Sequence, residues 1–335
     1  GDHKQGEHVL RAKINMSSPN MLMRDPVVYR AMEAKHHRTG DAWKIYPMYD
    51  WTHGESDYIE QVSHSLCTLE FEPHRELYDW FLDSISPLKG IRPKQREFSR
   101  LNLSYTITSK RNLAKLVEEG VVGGWDDPRM PTISGLRNRG YTPESLKSFA
   151  LTVGISKREN VIDVSLLEFC VRTHLNEEAP RAMAVLDPLK ISIINYNENK
   201  EESVNFDINP QKPGQGKREI LFSKNIYIER EDFQENPEEG FFRLSPGEEV
   251  RLKNAYIIKA KNIIKNEEGQ ITEVECEYDE KSKSGSNTEE SNRKVKATIH
   301  WVSAETAVEA TINIYDRLFK VPEPRSEEHT SELQS

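Results

Sequence analysis

The chain of 335 residues holds only three cysteines, Cys67, Cys170 and Cys276, an odd number at wide spacing. That argues against a disulfide framework or a CxxC zinc site, and it points to a reducing compartment. No apolar run approaches the roughly 20 residues needed to cross a bilayer, so no membrane span or membrane partner is expected. Gly1 to Leu10 carry no basic start followed by an apolar stretch, so no secretory leader is read there. Aromatic residues make up 8% and hydrophobic residues 36% of the chain, ordinary globular proportions that argue against wholesale disorder. The length suffices for two or three cores. A soluble cytoplasmic protein is expected.

Net charge is −9, which by itself discourages a polyanionic partner. The charge is uneven, however. Lys89 to Arg158 hold 14 Lys+Arg against 6 Asp+Glu, a net +8, so the remainder carries −17. A basic centre in an acidic protein still attracts phosphates, because they respond to the local field. A merely solvated charged surface explains the same count.

Hydrophobic spacing divides the chain. Leu77, Trp80, Phe81 and Ile85 recur at helical spacing and predict an amphipathic helix over Arg75 to Ile85. Leu113, Leu116 and Val117 predict another, stopped by Gly120. Thr142-Pro143-Glu144 combines a capping hydroxyl, a first-turn proline and an acid at the positive end of the dipole. The helix it starts should face inward with Leu146, Phe149 and Val153 and stop at Gly154. Ser165 with Glu168 reads as a capping box for a helix to about Asn176. Leu101, Leu103 and Tyr105 alternate as a strand does, and so does Val9 to Ile14. After Pro180 come short β-branched or aromatic runs: Ile191 to Tyr196, Asn225 to Ile228, Val250 to Leu252, Tyr256 to Ala260, Ile271 to Tyr278 and Val295 to Trp301. With polar loops between them they predict all-β barrels.

One stretch carries chemistry. In Thr108-Ser109-Lys110-Arg111 a loop lysine suits charge developing on a pyrophosphate leaving group, and the hydroxyls suit phosphate oxygens. Alone, such a tripeptide is a common surface helix start. Its neighbours change its weight: Arg100-Leu101-Asn102-Leu103 precedes it and Gly124-Trp125-Asp126-Asp127-Pro128-Arg129-Met130-Pro131-Thr132 follows. Met23-Arg24-Asp25-Pro26, Tyr46-Pro47-Met48-Tyr49-Asp50 and His64-Ser65-Leu66-Cys67-Thr68-Leu69-Glu70 lie upstream in order. From Arg11 to Pro324 this set resembles the Glu/Gln branch of the class I aminoacyl-tRNA synthetases.

The resemblance implies an enzyme that activates an amino acid with ATP and Mg2+, then transfers it to the 3′ end of a tRNA, with no protein-bound metal. Thr68, Arg100 and the Leu101 backbone would hold adenosine. Thr108, Ser109 and Lys110 would form a mobile phosphate loop with Lys110 catalytic, although Thr108 stands where the family usually has methionine. Glutamate-charging relatives typically place an arginine at Cys67, which would pair with a substrate carboxylate. A small neutral thiol there leaves a γ-carboxylate without a partner and favours a neutral amide. Gln95 matches the glutamine-charging pattern, Tyr49 the tyrosine that binds the side-chain amide, and His53 a residue lining that pocket. Lys157 and Arg158 match a loop against the inside of the tRNA. Arg181, Arg243, Arg251 and Lys253 match positions that read the anticodon, with Lys253 replacing an arginine in some relatives. Any of these is also explained as a surface cation, and His36-His37 as a solvated pair without zinc partners.

The expected fold class is α/β plus all-β. Residues 1–44 would end an acceptor-stem-binding insertion, 45–100 form the second half of a Rossmann-type domain, 101–179 a helical connecting subdomain, and 180–324 anticodon-binding β-barrels, the last cut short. Arg325 to Ser335 share neither periodicity nor composition with the rest and can be encoded by a common sequencing adapter; they are expected to be an artefact. The family's first signature, Pro-x-Pro-Asn-Gly with His-Ile-Gly-His, is absent. The expectation is therefore a monomeric glutamine-charging enzyme, partnered by its tRNA(Gln), L-glutamine and ATP, of which this fragment alone is inactive. The rivals are a glutamate-charging relative and a non-catalytic tRNA-binding protein derived from a synthetase.

Overall fold

A computed structural model describes residues 5–85, 89–197, 200 and 202–324; Arg325 to Ser335 lie outside them. The chain divides into two compact units, one of Gly1–Gly140, Leu146–Glu168 and Arg317 onward, the other of Tyr141–Ser145 and Phe169–Asp316.

The first unit opens with a three-stranded antiparallel sheet, β1 (Val9–Arg11), β2 (Val27–Ala31) and β3 (Ile45–Pro47). A β-α-β arrangement follows. Helix α1 (Tyr49–Ile59) leads to β4 (His64–Thr68), and α2 (Arg75–Ser84) joins β4 to β5 (Lys94–Phe98), which runs parallel to it. Leu77, Tyr78, Phe81 and Leu82 are buried on one face of α2, as the helical spacing predicted. Helix α3 (Lys110–Glu118) buries Leu113 and Leu116, and these pack with Val122, Met130, Leu318 and Phe319.

Several expectations shift here. The strand expected over Leu101, Leu103 and Tyr105 shrinks to β6 (Asn102–Leu103), paired in parallel with β7 (Val161–Ile162). Leu101 is exposed, and Tyr105 has φ +54°, a left-handed conformation that no strand residue adopts. Lys110 does not sit in a loop: Ser109 is the residue just before α3, without a side-chain capping bond, and the amphipathic pattern carries the helix back to Lys110 as its first residue. Helix α4 (Ile133–Asn138) is capped by Thr132, whose hydroxyl accepts from the Gly135 amide at 2.9 Å. Gly135 is obligatory there, because a Cβ would lie 2.4 Å from the Met130 carbonyl and 2.6 Å from that of Asp127. Helix α5 (Pro143–Val153) ends at Gly154, φ +71°, as its sequence signals indicate. Helix α6 (Val164–Glu178) is capped by Asp163, whose carboxylate accepts from the Ser165 amide at 2.8 Å, and not by the expected Ser165–Glu168 box. Glu168 instead faces Arg317 at 3.4 Å.

The second unit is built on a seven-stranded, mostly antiparallel sheet. Its order is β15 (Thr298–Ile299), β12 (Glu249–Leu252), β13 (Ile257–Lys265), β14 (Ile271–Asp279), β8 (Pro188–Ile193), β11 (Asn225–Glu229) and β16 (Val302–Ser303). A hairpin of β9 (Glu202–Asp207) and β10 (Lys217–Phe222), which the sequence reading passed over, adds Val204, Phe206 and Phe222 to the same core. Fully buried Trp301 packs edge-on to Phe222 at 5.1 Å and donates from Nε1 to the Lys253 carbonyl at 3.0 Å. At the coarser level of a β-rich second region the expectation holds. The last run, Val295 to Trp301, forms only the two-residue β15. No helix among the described residues is long and apolar enough to cross a membrane.

Candidate active site

Two neighbouring sets of residues occupy the first unit. The first lines a cleft of about 880 Å³ that includes Thr68, Glu70, Arg100, Asn102, Thr108 and Ser109. Strand β4 delivers Thr68 at its end, and the turn after β5 delivers Arg100. Thr68 Oγ1 donates to Glu70 Oε1 at 3.0 Å, and Arg100 reaches Glu70 Oε2 at 2.9 Å. The Thr68 hydroxyl, and with it Arg100, holds the Glu70 carboxyl below the usual carboxylate range. Four of the six residues predicted for the nucleotide thus share one cleft wall. Lys110 and Leu101 do not line it, although Lys110 directly follows Ser109 on the exposed start of α3. Glu70, although its motif was read, and Asn102 had been given no role there.

The second set lies on one face of β4 and β5 beneath α1. Parallel register sets Ser65 opposite Gln95 and Cys67 opposite Glu97, so these four side chains share a face. Tyr49, His53 and Asp57 recur every four residues on α1. Tyr49 Oη lies 3.3 Å from His53 Nδ1, and the Tyr49 ring packs tilted against Phe71 at 4.8 Å. His53 Nε2 is 3.6 Å from Asp57 Oδ2, which accepts from Ser65 Oγ. All four residues predicted for the amino acid, Tyr49, His53, Cys67 and Gln95, thus belong to this α1–β4–β5 layer.

Gln95 is buried, and its amide nitrogen donates to the Phe71 carbonyl at 2.8 Å and to Glu97 Oε1 at 2.9 Å. Arg75 pairs with Glu97, its Nε donating to Oε1 at 3.0 Å and its second nitrogen to Oε2. Burial works to raise the pKa of Glu97, but the Arg75 fork and the Gln95 amide outweigh it and keep the carboxyl below its ordinary value. Burial, reinforced by Glu97, pushes the Cys67 thiol up to about 11, so the side chain stays neutral. Burial, then Cys67, raises the Tyr49 phenol in the same way. Phe71, Arg75 and Glu97 were missed by the sequence reading. The period-two spacing of Gln95 and Glu97 was a usable signal; nothing local marks Arg75.

In the loop before α4, Asp127 accepts from the Gly123 and Arg129 amides at 2.8 and 2.9 Å and pairs with the Arg129 side chain. The Arg129 fork holds its carboxyl far below the ordinary range. This is packing of the Trp125–Pro131 segment, not chemistry.

The predicted tRNA-facing cations are scattered. Lys157 and Arg158 are exposed just after α5 in the first unit. In the second unit, Arg181 donates to the Asn176 carbonyl at 2.6 Å, and Arg243 pairs with buried Asp232. Arg251 donates to the carbonyls of Ser282 and Ser291 at 3.0 and 2.8 Å, and burial lowers its pKa. Lys253 is exposed after β12. The adjacent His36 and His37 rings lie 4.4 Å apart. No three His, Cys, Asp or Glu side chains among the described residues converge to hold a metal.

Comparison with known proteins gives the family. Residues 1–177 match the profile of the tRNA synthetases class I (E and Q), catalytic domain. Residues 179–279 and 298–334 match two profiles for the anticodon-binding domain of the same group. Glutamine--tRNA ligase of Rhodopirellula baltica is 54% identical over 98% of this chain and 54% of its own length. The proteins of that name from Alteromonas mediterranea and Clostridium perfringens are 54% and 52% identical, over 98% and 95% of this chain and 59% and 57% of their own lengths. The chain therefore spans a little over half the length of these relatives. With catalytic and anticodon-binding profiles matched in order along its length, the chain belongs to the class I aminoacyl-tRNA synthetases of the glutamate and glutamine group.

Proposed function

We propose that the chain is part of an enzyme that activates L-glutamine with ATP and transfers it to the 3′ end of tRNA(Gln). The observation that carries the choice of substrate is the orientation of Gln95. Both hydrogens of its amide nitrogen are committed to the Phe71 carbonyl and Glu97, so only its oxygen, an acceptor, is left to meet a substrate. A substrate amide has hydrogens to donate to such an acceptor, and a γ-carboxylate has none. The neutral Cys67 thiol and the ionised Glu97 beside it add to the discrimination, since neither compensates a buried negative charge. The relatives named above are all glutamine--tRNA ligases, which favours glutamine over the glutamate-charging alternative.

The nucleotide would lie in the cleft of Thr68, Arg100, Thr108 and Ser109, with the Leu101 backbone at its edge. Lys110 on the first turn of α3 would balance charge on the departing pyrophosphate. Magnesium would accompany the phosphates. Tyr49 and His53 would position the side-chain amide with Gln95 and Cys67. Lys157 and Arg158 would meet the tRNA stem, and Arg181, Arg243, Arg251 and Lys253 the anticodon, where guanidinium groups stack on unpaired bases and offer forked donors. In this arrangement residues 1–44 finish an acceptor-stem insertion, 45–100 a nucleotide-binding half-fold, 101–179 the helical connection, and 180–324 anticodon-binding barrels of a monomeric cytoplasmic enzyme.

The test is glutamine-dependent ATP–pyrophosphate exchange. The 335-residue chain alone is expected to give none. Joined to the N-terminal portion of a glutamine-charging relative, it should exchange with glutamine and not with glutamate. Glutamate preference in that protein would overturn the substrate; tRNA binding without exchange would favour a non-catalytic binder.

A further inference from the structure

The residues proposed to read the amide stand on different elements, and something must fix the spacing between them. Tyr49 and His53 belong to α1, while the Phe71 carbonyl that orients Gln95 belongs to the short 3-10 turn Leu69–His74. The N-cap of α1 is Met48, which supplies no side-chain cap, so the first turn lacks the usual local anchor. A tertiary contact stands in its place. His74, the last residue of the turn, sets its Nδ1 2.6 Å from Asp50 Oδ1 in the first turn of α1. Both side chains are mostly buried, 24% and 28% exposed. The His74 ring meets Phe71 at 5.1 Å, and Phe71 packs tilted against Tyr49, the neighbour of Asp50. The contacts close a ring: Tyr49, Asp50, His74, Phe71 and back to Tyr49.

We propose that His74, through its hydrogen bond to Asp50, is a positioning residue for the amide pocket, a role that presupposes the glutamine site proposed above. The imidazole N–H donates to the carboxylate and holds the first turn of α1 against the turn that carries Phe71. Tyr49 and the oxygen of Gln95 thereby keep a fixed separation, as recognition of one small amide by two groups demands. Without the bond, α1 frays from its uncapped end, and Tyr49 moves with it.

Cys67 supplies a reporter, because it is half-buried in this layer whereas Cys170 and Cys276 are buried. Iodoacetamide labelling of the intact chain, followed by mass spectrometry of the Cys67 peptide with and without L-glutamine, reads both access and ligand protection. Measuring at two pH values separates access from thiol ionisation, and thermal melting confirms that each variant is folded. His74→Ala is expected to speed labelling about fivefold by local opening and to abolish protection by glutamine. His74→Asn, whose Nδ2 occupies the place of Nδ1, should restore both. Asp50→Ala should act as His74→Ala does, and the double variant should be no worse than either. The proposal is overturned if His74→Ala and Asp50→Ala both label within about twofold of the unaltered chain, or if His74→Asn does not rescue. Failure of glutamine to protect the unaltered chain would sink the glutamine site, while the ligand-free rates would still decide whether His74 is the tie.

Discussion

The two units differ in how they use apolar residues. In the second, 22 buried residues among those described form one continuous core, from Leu189 to Trp301. In the first, comparable clusters hold six and four. Leu66, in the middle of β4, is 64% exposed, whereas Ile191, in the middle of β8, is fully buried. A two-stranded parallel sheet cannot cover both its faces, while a seven-stranded sheet with a hairpin folded over it covers at least one completely. Within the stretch of sequence given, the larger apolar core thus lies in the second unit, and the candidate chemistry lies in the unit whose clusters are smaller. Substitutions should separate the two.

The largest effect is expected for Trp301→Ala. Removing a fully buried indole and its hydrogen bond should cost about 3–5 kcal/mol, seen in urea titration as early unfolding of the second unit alone. A loss below about 1 kcal/mol would erase the contrast. Gly135→Ala comes next. Its Cβ must displace backbone carbonyls, an overpacking worth about 1–3 kcal/mol, and only the transition of the first unit should move. Glu97→Gln should act through pH. The folded-state pKa of Glu97 is depressed, so its pairing with Arg75 stabilises fully above the ordinary glutamate value of about 4.3 and fades as pH falls through the folded value. Urea titrations between neutral and acidic pH should therefore show a slope for the first unit that flattens in the variant; an unchanged slope would remove Glu97 from the account. The smallest stability change is expected for Lys110→Ala, within about 0.5 kcal/mol because the side chain is exposed. In the restored enzyme the same change should lower pyrophosphate exchange by about a hundredfold or more.

Legibility in the sequence follows the same divide. Helix α2 could be read from its apolar spacing, α3 from its spacing and the stop at Gly120, and α5 because its cap, spacing and glycine stop agree. The β9–β10 hairpin could not, because Val204 and Phe206 alternate with Ser203 and Asn205 inside a charged flank and too few apolar residues mark it. Short β6 and β15 fell below what alternation can resolve. In the candidate site, Thr68, Arg100, Thr108 and Ser109 were found by motif and do line one cleft, and Cys67 and Gln95 were found by their neighbours. Phe71, Arg75 and Glu97 were not: Glu97 shares the alternation of Gln95, but the pairing with Arg75, 22 residues away, that gives it a role arises only in the fold. His74 was invisible for the same reason: its partner Asp50 is 24 residues away.

The return of the chain at Arg317 bears on how the molecule can be divided. Arg317 lies 4.5 Å over the Tyr105 ring, the Tyr105 amide donates to the Pro322 carbonyl at 2.8 Å, and Leu318 and Phe319 cover Leu113 and Leu116 beneath α3. A protein cut after Pro180 would lose these late residues and lay open the underside of the helix on which Lys110 stands. The first unit is therefore not a prefix of the sequence. Anyone wishing to isolate it would have to splice residues from Arg317 to Pro324 back on, and a truncation series running inward from the C-terminus should damage the cleft lined by Thr68, Arg100 and Pro322 before it reaches the main β-sheet.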